Sequence, residues 1–143
     1  MEHIIDTNHP LAPYHRDRRE TLKPSPEEIL RQWGRVEFNS LKGKAPYATG
    51  SYQSFELIYT VGSMGIDENG GFKCSFRFVS DCGGFQFNDP KGDNFISVST
   101  ETDAKLELEY LKKGSTRPFQ KTLFVHVNDA SLNDGDQIRL VLG

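Results

Sequence analysis

The sequence has few cysteines, no excess of positive charge and no long apolar segment. Two cysteines in 143 residues exclude a scaffold held by many disulfides and a zinc site made of four cysteines. Seventeen basic and twenty acidic side chains give a net charge of −3, which argues against a nucleic-acid-binding protein. No apolar run approaches the ~18 residues of a membrane helix, and the amino end lacks a signal-peptide pattern. We therefore expect no nucleic-acid or membrane partner and favour a cytoplasmic location.

Sequence motifs that carry catalysis or metal binding are also missing. There is no H-x-H, H-E-x-x-H, C-x-x-C or G-x-S-x-G pattern, and no glycine-rich phosphate loop precedes a helix. His3, His9 and His15 recur at a regular spacing with Asp6 and Asp17 among them, but a metal site needs ligands held on rigid elements. We therefore assign no catalytic, cofactor-binding or metal-ligating residue, and we expect no cofactor.

Residues 1–34 differ in pattern from the rest of the chain. The segment before Ser25 has no sustained periodicity and is predicted to be an extended arm. Ser25, Pro26 and Glu28 then form a capping-box sequence that predicts a short helix, and Gly34 is suited to end it. Since so short a helix is unstable alone, we expect it to dock an apolar face on the strands. That face consists of Ile29, Leu30 and Trp33.

From residue 35 to residue 143 the sequence alternates between apolar and polar side chains. The alternation occurs in about seven short segments, separated by turns rich in glycine, asparagine and aspartate. No strand–helix–strand spacing is present, so a parallel sheet is not expected. The pattern predicts an all-β domain over residues 35–143: an antiparallel β-sandwich of immunoglobulin-like architecture, preceded by the N-terminal extended arm and one short helix. The predicted core consists of Val36, Phe38, Phe55, Leu57, Tyr59, Phe72, Phe76, Phe78, Ile96, Val98, Leu106, Leu108, Leu123, Val125, Ile138 and Leu140.

Polar and aromatic residues of two predicted loops are the residues best suited to face a ligand. They are Asp81, Phe85, Gln86, Phe87, Asp89 and Arg117. Exposed aromatic rings stack on sugars, but aromatic residues at such positions also plug the open ends of sandwiches. Cys74 falls in the apolar register of its strand and is expected to be a buried thiol, whereas Cys82 lies in a loop. Whether these two cysteines pair is left open.

Four segments, taken in order, resemble a known bacterial family. Residues 55–71 (FELIYTVGSMGIDENGG) are similar to its "YTVG…GID…GG" pattern, and residues 80–90 (SDCGGFQFNDP) to a second segment. Residues 117–119 (RPF) and 132–138 (LNDGDQI) follow in the same order. The family consists of largely uncharacterised proteins that join an N-terminal β-rich domain to a C-terminal metal-dependent hydrolase-like domain of the polymerase-and-histidinol-phosphatase type. The resemblance covers roughly residues 35–143.

The resemblance implies that this chain is an accessory domain related to, or cut from, a larger hydrolase-like protein. The metal-binding histidines of the hydrolase domain would lie beyond this sequence, so no catalytic residue carries over to it. Cys82 departs from the family pattern, which usually has a tryptophan there. We expect a non-catalytic accessory or interaction domain whose partner is the C-terminal hydrolase-like domain. The alternatives are a carbohydrate- or ligand-binding module and a small enzyme built on Asp81, Gln86 and Asp89.

Overall fold

The computed structural model describes residues 25–77 and 83–143 and confirms an antiparallel β-sandwich with one short helix. In chain order, the elements are helix α1 (Pro26–Trp33) and strands β1 (Arg35–Ser40), β2 (Phe55–Thr60), β3 (Gly71–Phe76), β4 (Ile96–Thr100), β5 (Lys105–Leu111), β6 (Lys121–Asn128) and β7 (Gln137–Leu142). Each strand lies where the alternation predicts it. The predicted arm lies outside the described residues, among which no helix is long and apolar enough to cross a bilayer.

Helix α1 begins with the capping box that its sequence predicts. The Ser25 hydroxyl accepts a hydrogen bond from the Glu28 backbone N–H (3.2 Å), and the Glu28 carboxylate accepts one from the Ser25 N–H (2.7 Å). The hydrogen bond from the Ser25 backbone N–H is the main cause that lowers the pKa of the Glu28 carboxyl, because it favours the charged form. Pro26 begins the helix, and Gly34 ends it with a φ of 85°.

Helix α1 does not dock through its apolar face, so that sequence prediction was wrong. The exposed side chains of this face are Ile29, Leu30 and Trp33. The sandwich instead holds the last helical turn by its carbonyl groups. The backbone N–H groups of Ser63 and Met64 donate to the carbonyls of Arg31 (2.8 Å) and Gln32 (3.3 Å). The last carbonyls of a helix have no hydrogen-bond partner within it. This contact therefore satisfies carbonyl groups of the helix end, while the apolar side chains of α1 stay exposed.

Two glycines let the end of α1 lie against the residues that follow β2. A Cβ atom on Gly62 would collide with the backbone of Gln32 and Gly34. A Cβ atom on Gly34 would collide with the Thr60 carbonyl oxygen, and the positive φ of Gly34 is itself unfavourable for other residues. The short turn between α1 and β1 therefore depends on backbone contact that only glycine permits.

The strands form a four-stranded sheet in the order β1-β2-β7-β4 and a three-stranded sheet in the order β3-β6-β5. An immunoglobulin constant domain divides its seven strands in the same way, with its fifth strand between the second and the fourth. Here β7 lies between β2 and β4, and β5 takes the edge position that the seventh strand has in that domain. The architecture is therefore immunoglobulin-like, whereas the connectivity exchanges the last strand with the fifth.

The core lies between the two central strands, β6 and β7. Their inward side chains are almost wholly buried and form two apolar clusters with residues of the flanking strands. The buried residues that the sequence predicts are Ile96, Leu123, Val125, Ile138 and Leu140. Those that it misses are Val61, Ala104, Thr122, Val127 and Leu132. Ala104 and Leu132 lie in connections, where period-two alternation gives no signal. Val61 and Val127 do continue the alternation of β2 and β6, but the predicted core leaves them out.

The prediction that Val36 and Phe38 belong to the core was wrong. These two side chains of β1 are 62% and 57% exposed. They do face inward, because they lie opposite Tyr59 and Leu57 in the β1–β2 register, and both of those pack against the core. Their exposure follows from the unequal number of strands in the two sheets. Phe78, another predicted core residue, lies outside the described residues.

Strand β1 overhangs the three-stranded sheet. The rings of Tyr59 on β2 and Phe72 on β3 lie 5.1 Å apart, so β2 faces β3. Ile138 on β7 and Val125 on β6 share one cluster, and β4 lies against β5. These three facing pairs leave β1 without an opposing strand in the described part of the chain. Among the described residues, the position beside β3 and across from β1 therefore holds no strand.

Candidate functional site

Gln86, one of the loop residues predicted to face a ligand, folds its side chain back onto its own loop. Its amide nitrogen donates to the carbonyls of Asp89 (2.7 Å) and Gly92 (3.3 Å). Its amide oxygen accepts from the backbone N–H groups of Asn88 (3.0 Å) and Asp89 (2.9 Å). A terminal amide has few further hydrogen-bonding positions. Gln86 thus organises the loop instead of presenting its amide to a ligand.

The neighbouring aromatic residues point in different directions. The Phe85 ring packs against Phe76 (5.1 Å between centroids) and edge-on against Tyr110 (5.2 Å), so it fills the end of the sandwich. Phe87 is exposed, and the Asp89 carboxylate caps the backbone N–H of Lys91 at 3.0 Å. Phe87 is therefore the predicted ligand-facing aromatic residue of this loop whose ring is exposed to solvent.

Two predicted site residues remain, Asp81 and Arg117. Arg117 lies in the connection between β5 and β6, and Asp81 and Cys82 lie outside the described residues. His3, His9 and His15 also lie outside them. Within residues 25–77 and 83–143, no three histidine, cysteine or acidic side chains are arranged to hold a metal ion. Cys74 carries a free, half-buried thiol whose pKa is raised by burial.

A shallow depression of about 360 Å³ lies on the outer face of the three-stranded sheet. Its lining residues are Glu107, Leu108, Glu109, His126 and Asn128. His126 Nε2 lies 3.0 Å from the Glu109 carboxylate, and the imidazole packs edge-on against Phe124 at 4.0 Å between centroids. The β5–β6 register, which pairs Glu107 with His126, brings these groups together. The sequence predicts outward positions for them by alternation, but it does not show that they meet.

The described residues that line the depression include hydrogen-bonding groups but no hydroxyl or thiol. A histidine–carboxylate pair activates a nucleophile when a hydroxyl or thiol lies within reach of the imidazole. In the described residues, His126 has Glu109 and Phe124 as its close side-chain neighbours. The surface is also open, whereas ligand pockets enclose most of the bound molecule. The pair therefore links β5 to β6 across the sheet.

The inner face of β1 departs from ordinary sandwich packing. We call this surface the β1 face and define it by Val36, Phe38 and the half-buried Phe55 beside them. The Phe38 and Phe55 rings stack at 4.9 Å, and the exposed Tyr47 packs edge-on against Phe55 at 5.5 Å. Apolar side chains that point inward in a sandwich normally meet the opposite sheet. Here they form an apolar surface that no strand of the described residues covers.

Two unpaired strand edges flank the β1 face. Strand β1 pairs only with β2, and β3 pairs only with β6, among the residues that the structure describes. Each edge carries backbone donors and acceptors able to pair with another chain. The Arg35–Glu37 ion pair (3.3 Å) on β1 and the exposed Lys73 on β3 place charge on the outer side of both edges. The apolar face and the two edges together make a surface suited to an added strand.

Comparisons with protein-family models, with curated proteins and with solved structures find no match for this chain. The resemblance to the hydrolase-linked family therefore stays a prediction.

Proposed function

We propose that this chain is a non-catalytic interaction domain that binds another polypeptide along the β1 face. The observation that carries the proposal is the exposure of Val36 and Phe38, which point inward and yet have no opposing strand among the described residues. Full burial of such a side chain contributes ~1.5–3 kcal/mol. A polypeptide that covers both residues would gain this stabilisation without reorganising the sandwich.

The open position beside β3 favours an extended chain as the bound element. A strand in that position would pair with the β3 edge and place its alternate side chains on the β1 face. Backbone hydrogen bonds would contribute affinity, and the side chains that reach Phe38 would contribute specificity. Small polar ligands lack the apolar side chains that such a surface needs.

An accessory role beside a hydrolase-like domain, which the family resemblance implies, is one form of this proposal. In that form the hydrolase-like domain supplies the bound strand. The glycan-binding alternative is supported by the exposed Phe87 ring and by the depression beside His126. It has less support, because Gln86 and Asp89 direct their polar atoms into their own loop.

A photo-crosslinking amino acid in place of Phe38 tests the proposal in living cells that produce the protein. Phe119 is the matched control position, since it is a similarly exposed phenylalanine (49%) in the connection between β5 and β6. We expect a covalent polypeptide adduct from position 38 and none from position 119. Excess wild-type chain should suppress the adduct, whereas the Phe38→Glu variant should not. Equal labelling at both positions, or none at position 38, would contradict the proposal.

A further inference from the structure

We propose that the polypeptide covering the β1 face is a second copy of this chain, in a two-fold dimer. In this dimer β1 of each copy fills the open position beside β3 of the other copy. The inference rests on the proposed function and adds the identity of the bound polypeptide. Its basis is that the four-stranded sheet has an extra strand, β1, and the three-stranded sheet has an open position beside β3.

The match is self-complementary. One copy has an extra strand, β1, at the side of the sandwich where its other sheet has one strand fewer. Consider a two-fold axis that lies midway between the two sheets and runs parallel to the strands. Rotation about it places the four-stranded sheet of the second copy in line with the three-stranded sheet of the first, and the reverse. It places the extra strand of each copy in the open position of the other, so both contacts form at once, as an isologous interface requires. Each resulting continuous sheet combines the four-stranded sheet of one copy with the three-stranded sheet of the other.

Strand direction and strand length are compatible with this pairing. Strand β1 is antiparallel to β2. The chain crosses from the end of β2 to the start of β3, where Tyr59 and Phe72 meet, so β3 also runs opposite to β2. Rotation about an axis parallel to the strands keeps their direction, and β1 of the second copy therefore runs parallel to β3. Both strands have six residues. Parallel pairs are slightly weaker than antiparallel ones but are common in mixed sheets.

The rotation also fixes the register of the new pair. Val36 lies opposite Tyr59, and the Tyr59 ring contacts Phe72, so Val36 and Phe72 lie at the same level along the strands. Rotation about an axis along the strands preserves this level. Val36 of the second copy thus lies beside Phe72, and Glu37 of the second copy lies beside Lys73. The inward residues Val36 and Phe38 of the two copies then cover one another.

The charges at this register are complementary. Glu37 and Lys73 both lie on the outer face, are both exposed, and carry opposite charges. Glu37 also forms the 3.3 Å ion pair with Arg35 of its own strand, so in the dimer it would lie between two cations. The dimer contains this pair twice, once on each sheet. Pairing of β1 with β1 of another copy, the simplest edge-to-edge alternative, would leave both β1 faces uncovered. The observations therefore favour the β1–β3 arrangement over that alternative.

Sedimentation equilibrium of the full chain tests the dimer, and a charge exchange tests its register. We expect a dissociation constant of about 1–100 μM, because two short strand pairings make a small interface. Glu37→Lys and Lys73→Glu should each weaken dimerisation by about tenfold or more, since each homodimer then holds two like-charged pairs. An equimolar mixture of these two variants should dimerise to within about threefold of the wild type, because the heterodimer restores opposite charges at both pairs. Phe38→Glu should abolish dimerisation, and Phe119→Glu should not.

The outcomes separate this inference from the proposed function. A wild-type chain that sediments as a monomer at about 100 μM overturns the dimer. If position 38 then still crosslinks to a different polypeptide, the proposed function stands with another partner. A crosslink from position 38 to residues 1–24 of the same chain overturns the dimer in favour of intramolecular cover. A dimer whose charge variants fail to rescue each other when mixed overturns the β1–β3 register.

Discussion

The Tyr59 hydroxyl donates a 2.6 Å hydrogen bond to the carbonyl oxygen of Trp33. This bond joins β2 to the last residue of α1 and so supplements the two backbone contacts made by Ser63 and Met64. Burial raises the pKa of the Tyr59 hydroxyl, which therefore keeps its proton, and its ability to donate, at neutral pH. A polar contact of this kind holds the helix while its apolar face stays exposed.

Replacing Tyr59 with phenylalanine should loosen α1 without disturbing the sandwich. The ring can keep its contact with Phe72, whereas the Trp33 carbonyl loses its side-chain donor. We expect the free energy of unfolding to fall by about 1 kcal/mol. Hydrogen exchange at the Ser63 and Met64 amides should become faster, since both amides donate to α1. Tyr52→Phe is the matched control because that side chain is largely exposed, and it should change neither quantity.

Substitution of Gly62 should be far more harmful than substitution of Gly84. A Cβ atom at position 62 meets the rigid backbone of Gln32 and Gly34, whereas a Cβ atom at position 84 meets no atom within 4 Å. We expect Gly62→Ala to destabilise the fold by about 1–3 kcal/mol, as overpacking generally does. Gly84→Ala should be close to neutral. Urea denaturation of both variants checks the difference, and equal stabilities would show that α1 does not hold this close position.

Two leucines that look alike in the sequence should respond differently to truncation. Leu123 on β6 is completely buried, and Leu30 lies on the exposed face of α1. Leu123→Ala should cost about 2–5 kcal/mol through lost burial and the cavity it leaves. Leu30→Ala should change the stability by less than about 0.5 kcal/mol. Thermal or urea unfolding measures both, and a large cost at Leu30 would mean that the helix face is covered in solution.

Alternation along the chain predicts the strands and which way each side chain points, because side chains of a strand alternate between its two faces. It identifies the inward residues Leu123, Val125 and Ile138 correctly. The same pattern assigns Val36 and Phe38 to the core, and it is correct about their direction but not about their burial. Burial depends on whether another strand lies opposite, which is decided by long-range strand order. No local signal shows that β7 pairs with β2.

The candidate surfaces were harder to predict than the fold. The sequence identifies Gln86 as a polar loop residue, but four hydrogen bonds within the loop, visible only in three dimensions, use its amide. The β1 face was missed because its residues are apolar and alternate as core residues do. A short edge strand next to a poorly packed helix indicates such a surface. This indication can be recognised only when the number of strands in each sheet is known.

The ion pair between Glu56 and Arg139 makes stability depend on pH in the acidic range. The Arg139 Nε–H donates to the Glu56 carboxylate at 2.6 Å, and the Asn39 side-chain amide donates to its other oxygen at 3.3 Å. The hydrogen bond from Arg139 is the main reason why the pKa of Glu56 lies below its ordinary value of 4.5. This carboxylate connects β1 and β7 across the outer face of β2.

Because the pKa of Glu56 is lower in the folded than in the unfolded state, its stabilisation is fully present above the unfolded pKa. It is lost as the pH falls through the folded value. Glu56→Gln should therefore be less stable than the wild type at pH 7, and the difference should shrink as the pH falls from about 5 to about 3. Urea unfolding across this range measures the difference. Arg139→Gln should remove the same pH-dependent part of the stability, since the lowered pKa of Glu56 requires the guanidinium of Arg139. A difference between wild type and Glu56→Gln that stays constant with pH would contradict the ion pair as its cause.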